Sequence, residues 1–196
     1  MTSAKHEEKK NSIIVHGMDL MWDKGYNATS VNDIVKAAGI PKGSFYFYFD
    51  SKEDFAIKAL REYFAEVYGP FSQKLIQGDA SPIERIKEFY YGRIEKLIQE
   101  MSDNRGCFAC NLSSEVADHI DGIQAEVAKI HNRILSELVQ VGKQAQDAGE
   151  LDEELDVEKM FAFLEDAGKG AMVSMKALGN HTPIHNYKYM VDRLLP

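Results

Sequence analysis

The chain has 196 residues, 44% hydrophobic and 28% charged, with a formal net charge of −8, the composition of a folded globular protein rather than a disordered tail. Its pI near 5.3 excludes a protein that coats nucleic acid indiscriminately, because that binding is carried by cations. No apolar run approaches the roughly 20 residues a membrane helix needs, so no membrane partner is expected.

The charge is unevenly divided. Residues 1–61 hold nine Lys and Arg against eight Asp and Glu, while the rest hold 14 against 23. A small DNA-reading surface on an acidic body fits this split. The charged start MTSAKHEEKK lacks the apolar core of a secretory signal. Two cysteines three residues apart cannot staple a fold of this length, and a soluble cytoplasmic protein is the expectation.

Strand signals are nearly absent, and helical spacing recurs along the chain. Ile14, Met18, Met21 and Trp22 predict a first helix over about 5–24, closed by Gly25. Thr29 and Ser30 offer caps for a short second helix, Val31–Ala38, which Gly39 ends. Pro41, whose missing N–H is harmless in a first turn, opens a third over about 41–48. Ser51-Lys-Glu-Asp54 resembles a capping box and opens a fourth, which Gly69-Pro70 should bend or end. Ser81-Pro82-Ile83-Glu84 starts a fifth, striped by Ile83, Ile86, Tyr90, Ile94, Leu97 and Met101. Asp103-Asn-Arg-Gly106 breaks that stripe, and a short helix follows over about 110–119.

Two long helices, 122–148 and 157–178, are apolar on two sides and so must be covered twice. The second face of the former is Leu135, Val139 and Gly142; that of the latter is Met160, Ala167, Gly170 and Ser174. One face can pack in its own subunit and the other against a partner, which predicts a homodimer through residues 122–148 and 157–178. Thr182-Pro183 starts a last helix.

A helix, a turn containing Gly and a short second helix form the helix-turn-helix order, whose second helix enters the major groove of DNA. Residues 31–48 supply it: Val31, Ile34, Val35 and Ala38 face inward, Gly39 turns, and the next segment begins on polar Lys42-Gly43-Ser44 with Phe45 and Phe49 to anchor it. The stretch GYNATSVNDIVKAAGIPKGSFYFYFDSKEDF resembles the tetracycline-repressor (TetR) family of bacterial transcriptional regulators over about residues 10–60. Departures are mild: Ile40 for Val, Pro41 where Ser is common, Ser44 for Thr, Phe45 for Leu, and Tyr48 where His is frequent.

The resemblance implies an all-α chain. Residues 1–50 would form a three-helix DNA-binding domain, and residues 51–196 a helical ligand-binding and dimerisation domain. It also implies roles. Ser30, Tyr48 and Lys52 are placed for phosphates, the last beside a helix N-terminus that favours anions. Lys42, Ser44 and Tyr46 are placed to reach bases, Gly43 admits close approach of the backbone, and Asn32 reaches a base at the margin. The partners implied are double-stranded palindromic operator DNA, a second copy of the chain and a small-molecule inducer. Phe89, Tyr90, Arg93, Phe161 and Met172 are candidates for the inducer cavity.

Cys107-Phe-Ala-Cys110 lacks the second Cys/His pair that a zinc site needs, and no βαβ unit surrounds it as a thioredoxin motif would require. No other motif calls for a cofactor. Arg105 before it and a helix start after it favour thiolate at Cys107, and Cys110 is spaced to resolve an oxidised partner. RGCFACN also resembles the N-ethylmaleimide-responsive repressors, a TetR subgroup with a sensing cysteine. The bland alternative is two small half-buried thiols lining a pocket. Two further readings stay open at this stage, a cysteine-dependent enzyme and a helical interaction module without DNA binding. The first lacks a base within evident reach of either thiol, and the polar, Lys-headed segment at 42–44 argues against the second.

Overall fold

The computed structural model describes residues 3–100 and 105–196, and all regular structure among them is helical. Nine helices follow in chain order: α1 Ser3–Lys24, α2 Val31–Ala37, α3 Lys42–Phe45, α4 Lys52–Gln77, α5 Pro82–Glu100, α6 Phe108–Val116, α7 Asp121–Asp147, α8 Val157–Leu178 and α9 Thr182–Leu194. The all-α class read from the spacing is the class observed. The stripe's end at Met101 and the break at Asp103-Asn104 lie outside the described residues.

The chain forms two compact units, Met1–Phe64 with Phe108–Ala128, and Ala65–Cys107 with Lys129–Pro196. Unit 1 is built on α1, α2, α3, α6 and the first turns of α4 and α7. Its core is Ile13, Ile14, Met18 and Met21 of α1, Ile34 and Val35 of α2, then Phe45, Phe49, Phe55, Ala59 and Leu60, all buried. Gly17 sets how closely α1 packs. A Cβ there would lie 2.5 Å from Phe55 and 2.7 Å from Ile34. α2 starts on a reciprocal capping box: the Asp33 N–H donates to Ser30 Oγ, and the Ser30 N–H donates to the Asp33 carboxylate.

Two expectations are corrected here. The third helix, expected over about 41–48, is only Lys42–Phe45 followed by a hydrogen-bonded turn in which the Tyr48 and Phe49 N–H groups donate to the Phe45 carbonyl at 2.9 and 3.0 Å. Gly43 and the aromatic run Phe45–Phe49 lose more freedom in a helix than straight-chain residues do, so the turns stay short. The fourth helix does not end at Gly69-Pro70; α4 continues to Gln77 with Pro70 inside it. Pro70 and Glu66 are both exposed, so the missing backbone bond is left to solvent. The turns beyond are secured within unit 2 by buried Leu75, by Phe71 beside Gly92, and by the Ser72 hydroxyl donating to Glu137 at 2.5 Å.

In unit 2, α5, α7, α8 and α9 bury Ile86, Phe89, Tyr90, Leu138, Val141, Phe161, Leu164, Ile184 and Val191. The second stripe of α7 is partly covered within the chain. Gly142 is buried, with the Phe161 ring 2.5 Å from where its Cβ would stand, and Leu135 and Val139 are half-buried. α8 begins on an Asp156 cap and ends at Gly179, whose φ of +65° suits only glycine without strain.

Candidate nucleic-acid interface and a buried polar site

Unit 1 offers exposed positions with residue types that DNA reading needs. Lys42 and Gly43 are exposed, and a Cβ at Gly43 would meet nothing within 4 Å. Ser44 is half-buried, and its N–H donates to the Pro41 carbonyl at 2.9 Å. Tyr46 is 54% exposed while its neighbour Phe45 is 0% exposed and stacked on Phe49 and Phe55. The aromatic run therefore divides by face: Phe45 and Phe49 lock the segment down, and Tyr46 and Phe47 point out. Asn32 and Lys36 are exposed on α2.

The three residues assigned to phosphates have local partners as well. Ser30 is exposed at the α2 cap, its hydroxyl donating to the Asp33 carboxylate at 2.5 Å. Tyr48 is half-buried, its ring 4.8 Å from that of His6, and its carbonyl accepts from Lys58 Nζ at 3.2 Å. Lys52 Nζ donates to the Tyr26 carbonyl at 2.9 Å and lies 4.0 Å from the Tyr26 ring centre. Burial lowers the Lys52 pKa, and Glu115 opposes that shift. Lys52 thus ties the start of α4 to the turn after α1.

Sequence reasoning missed two residues of this unit. Phe47 is 68% exposed, stacked edge-on against His6 at 5.3 Å. Glu115 on α6 accepts backbone hydrogen bonds from Tyr26 and Asn27. Phe47 was legible as an aromatic of the run off the anchoring face, beside Tyr46. Glu115 carried no signal, since its partners lie 89 and 88 residues away.

In unit 2, Phe89, Tyr90 and Arg93 come together on α5. Arg93 Nη1 donates to Glu165 Oε1 at 2.8 Å and its Nη2 to Glu165 Oε2 at 3.3 Å and to the Tyr68 hydroxyl. The guanidinium also lies 4.3 Å from the Tyr68 ring centre and 4.7 Å from that of Phe89. Burial works against the Arg93 charge, yet Glu165 and the tyrosines outweigh it and raise the guanidinium pKa. Burial, then Glu165, pushes the Tyr90 phenol well up; burial likewise raises Tyr187 against the pull of Arg93. Both phenols stay protonated at neutral pH. The Tyr90 hydroxyl is fully buried with no hydrogen-bond partner among the described residues. Phe161 packs on Gly142 instead, and Met172 is half-buried on α8. Tyr68, Glu165 and Tyr187 went unread, although Glu165 stands four residues after Phe161, a lone carboxylate on an apolar helical face.

Cys107 is buried and Cys110 half-buried. α6 begins at Phe108, so Cys110 stands in its first turn rather than in a preceding loop, and Gly106 turns the backbone at φ +72° just before.

Residues 13–59 match the family described as bacterial regulatory proteins, tetR family, and residues 82–190 match the tetracyclin repressor-like C-terminal domain. The transcriptional regulator AcuR of Cereibacter sphaeroides is 30% identical over 179 residues, covering 90% of this chain and 80% of the relative. The HTH-type transcriptional repressor DhaR of Mycobacterium sp. (strain GP1) is 28% identical over 188 residues, covering 95% of this chain and 92% of the relative. The reduced form of NemR from E. coli has the same fold, with a TM-score of 0.84 at 22% identity over 96% of this chain and 97% of that one. No helix among the described residues is long and apolar enough to cross a membrane.

Proposed function

The chain belongs to the tetR family of bacterial regulatory proteins, which are DNA-binding transcription regulators and not enzymes, and from that premise we propose that it is a homodimeric cytoplasmic repressor released from a palindromic operator by a small molecule. The names of its relatives support repression over activation. The observation that carries the reading is that Lys42, Gly43, Tyr46 and Phe47 are exposed while Phe45 and Phe49 beside them are buried and anchor the segment. Residues 1–50 act as the reading head and 51–196 as the ligand and dimer body. Lys42, Ser44, Tyr46 and Asn32 read bases, with Gly43 admitting the backbone; Ser30, Tyr48 and Lys52 meet phosphates.

The ligand site is the polar cluster around Arg93. Its charge is already balanced by Glu165, and the buried group still lacking a partner is the Tyr90 hydroxyl. An anion entering there would compete with Glu165, whereas an uncharged molecule bearing a hydrogen-bond acceptor would match Tyr90. The buried state of Cys107 also favours reversible binding over thiol modification, which needs an accessible thiolate.

The dimer surface is moved by one helix from the sequence expectation. α7 has no large hydrophobic residue among the exposed ones. α8 exposes Phe163, Val173 and Leu178, and α9 exposes Tyr189, Met190 and Leu194. α8 and α9, rather than residues 122–148 and α8, form the contact with the second copy.

An electrophoretic shift with the chain's own upstream DNA tests the core of the reading. A specific shift on one segment, competed by itself and not by random DNA, is the expected result; equal competition by both removes it. Tyr90→Phe should then bind that segment normally while losing release by uncharged ligands.

A further inference from the structure

We propose that Glu115 of α6 is a positioning residue for operator recognition, holding the turn that aims α2 and α3 at DNA; the proposal rests on reading unit 1 as the DNA-binding head. Glu115 Oε2 accepts from the Tyr26 N–H and Oε1 from the Asn27 N–H, each at 2.8 Å. Charge-assisted bonds of this kind are the strong ones, and a fork of two fixes the orientation of a turn as one bond cannot. Gly25, just before, has φ +88°, and a Cβ there would lie 2.8 Å from Glu115 Oε2. Glycine is thus required twice, by the backbone and by the approaching carboxylate.

The other face of the same turn is tied to the reading elements. The Thr29 hydroxyl donates to the Gly25 carbonyl at 2.7 Å, and Lys52 Nζ to the Tyr26 carbonyl at 2.9 Å. One residue after Thr29, Ser30 caps α2. The first tie lies within the three-helix head and the second comes from the adjoining start of α4; Glu115 comes from α6, far along the chain. α6 is in turn seated on α1 and α4 by Phe108, whose ring centre is 5.9 Å from Trp22 and 5.8 Å from Tyr63. The carboxylate therefore stands on a helix with its own anchor.

The functional consequence follows from what each kind of DNA contact demands. Random DNA is held through phosphates and tolerates an imprecise angle, but base contacts need register held within about 0.5 Å. Loosening the turn should thus cost operator affinity selectively.

The test compares wild type, Glu115→Ala, Glu115→Gln and Ile86→Ala, the last a core truncation in unit 2 that leaves the head untouched. Binding to the operator segment and to random DNA is measured at one salt concentration and well below each melting point, with amide exchange read at Tyr26 and Asn27. Glu115→Ala should weaken operator binding about tenfold, equal to about 1.4 kcal/mol, leave random-DNA affinity in place and speed exchange at both amides. Glu115→Gln, which keeps one acceptor but turns an NH2 toward the second N–H, should fall between and keeps the test open where Ala does not fold. Ile86→Ala should lose stability with its operator-to-random ratio intact. An unchanged ratio in both Glu115 variants, or a parallel loss on both DNAs, overturns the proposal. A wild type that shows no operator preference overturns the DNA reading beneath it, a result distinct from operator binding that ignores Glu115.

Discussion

Tyr46 and Lys52 stand on the same unit but are bound into it differently, and their variants should separate accordingly. Tyr46 is 54% exposed, so Tyr46→Ala removes mainly what the ring does for DNA. We expect about 1–3 kcal/mol less operator affinity and relaxed preference at one base step, scored on a set of single-base operator variants. Lys52→Ala also releases the Tyr26 carbonyl, so its melting point should fall along with its affinity for every DNA. For exposed Lys42, the change should be in affinity alone. The exposure of Lys42, Tyr46 and Asn32 was legible from residue type and position along the chain. The site was illegible where a partner came from far along the chain, as with Glu115 at the Tyr26 turn and Glu165 at Arg93. For the thiols, N-ethylmaleimide followed by mass spectrometry should label half-buried Cys110 before buried Cys107. Faster labelling at Cys107, with operator release that Cys107→Ser abolishes, would restore the cysteine switch.

At the scale of elements, local signals located helices and tertiary contacts decided their ends. The caps at Ser30 and Ser81 open α2 and α5 where the sequence put them, because a cap acts within its own first turn. Pro70 misled because a proline's local cost, about 3 kcal/mol in a helix interior, is decisive only when nothing beyond it is bound. Here Phe71, Ser72 and Leu75 all find partners in unit 2. The two-sided pattern of α7 was likewise real, but at Gly142 the second face is covered by Phe161 of the same chain. The tie between α5 and α8 gives the sharpest stability prediction. The Arg93 and Glu165 side chains are only 17% and 3% exposed. Glu165→Leu strands a buried guanidinium and should cost about 3–5 kcal/mol in urea unfolding, while adding Arg93→Met should recover most of it, since a well-packed apolar pair replaces a buried ion pair at little net cost. A double variant no more stable than the single one would show that the polar network itself, not the stranded charge, holds the helices.

At the scale of the whole molecule, the acidic balance and the small reading head make dimerisation part of recognition rather than an accessory to it. One head of this size reads few base pairs, and a net charge of −8 gives no general attraction to DNA. On the function proposed above, affinity comes from two heads that share one palindrome. Phe163 is 58%, Val173 52% and Leu178 64% exposed on α8, an apolar face that a second copy would cover. Phe163→Asp combined with Val173→Asp should give monomers by light scattering with the helical content unchanged. The decisive measurement sets palindrome against half-site. Each phosphate neutralised contributes about −0.9 to the slope of log affinity against log salt, so the dimer on a palindrome should show close to double the slope of a single head on a half-site. The monomeric variant should bind palindrome and half-site alike, with the half-site slope, because its heads are intact and only their linkage is gone. If the variant stays dimeric, α8 is not the contact; if it is monomeric yet keeps the palindrome's full affinity and slope, the two heads were never acting together.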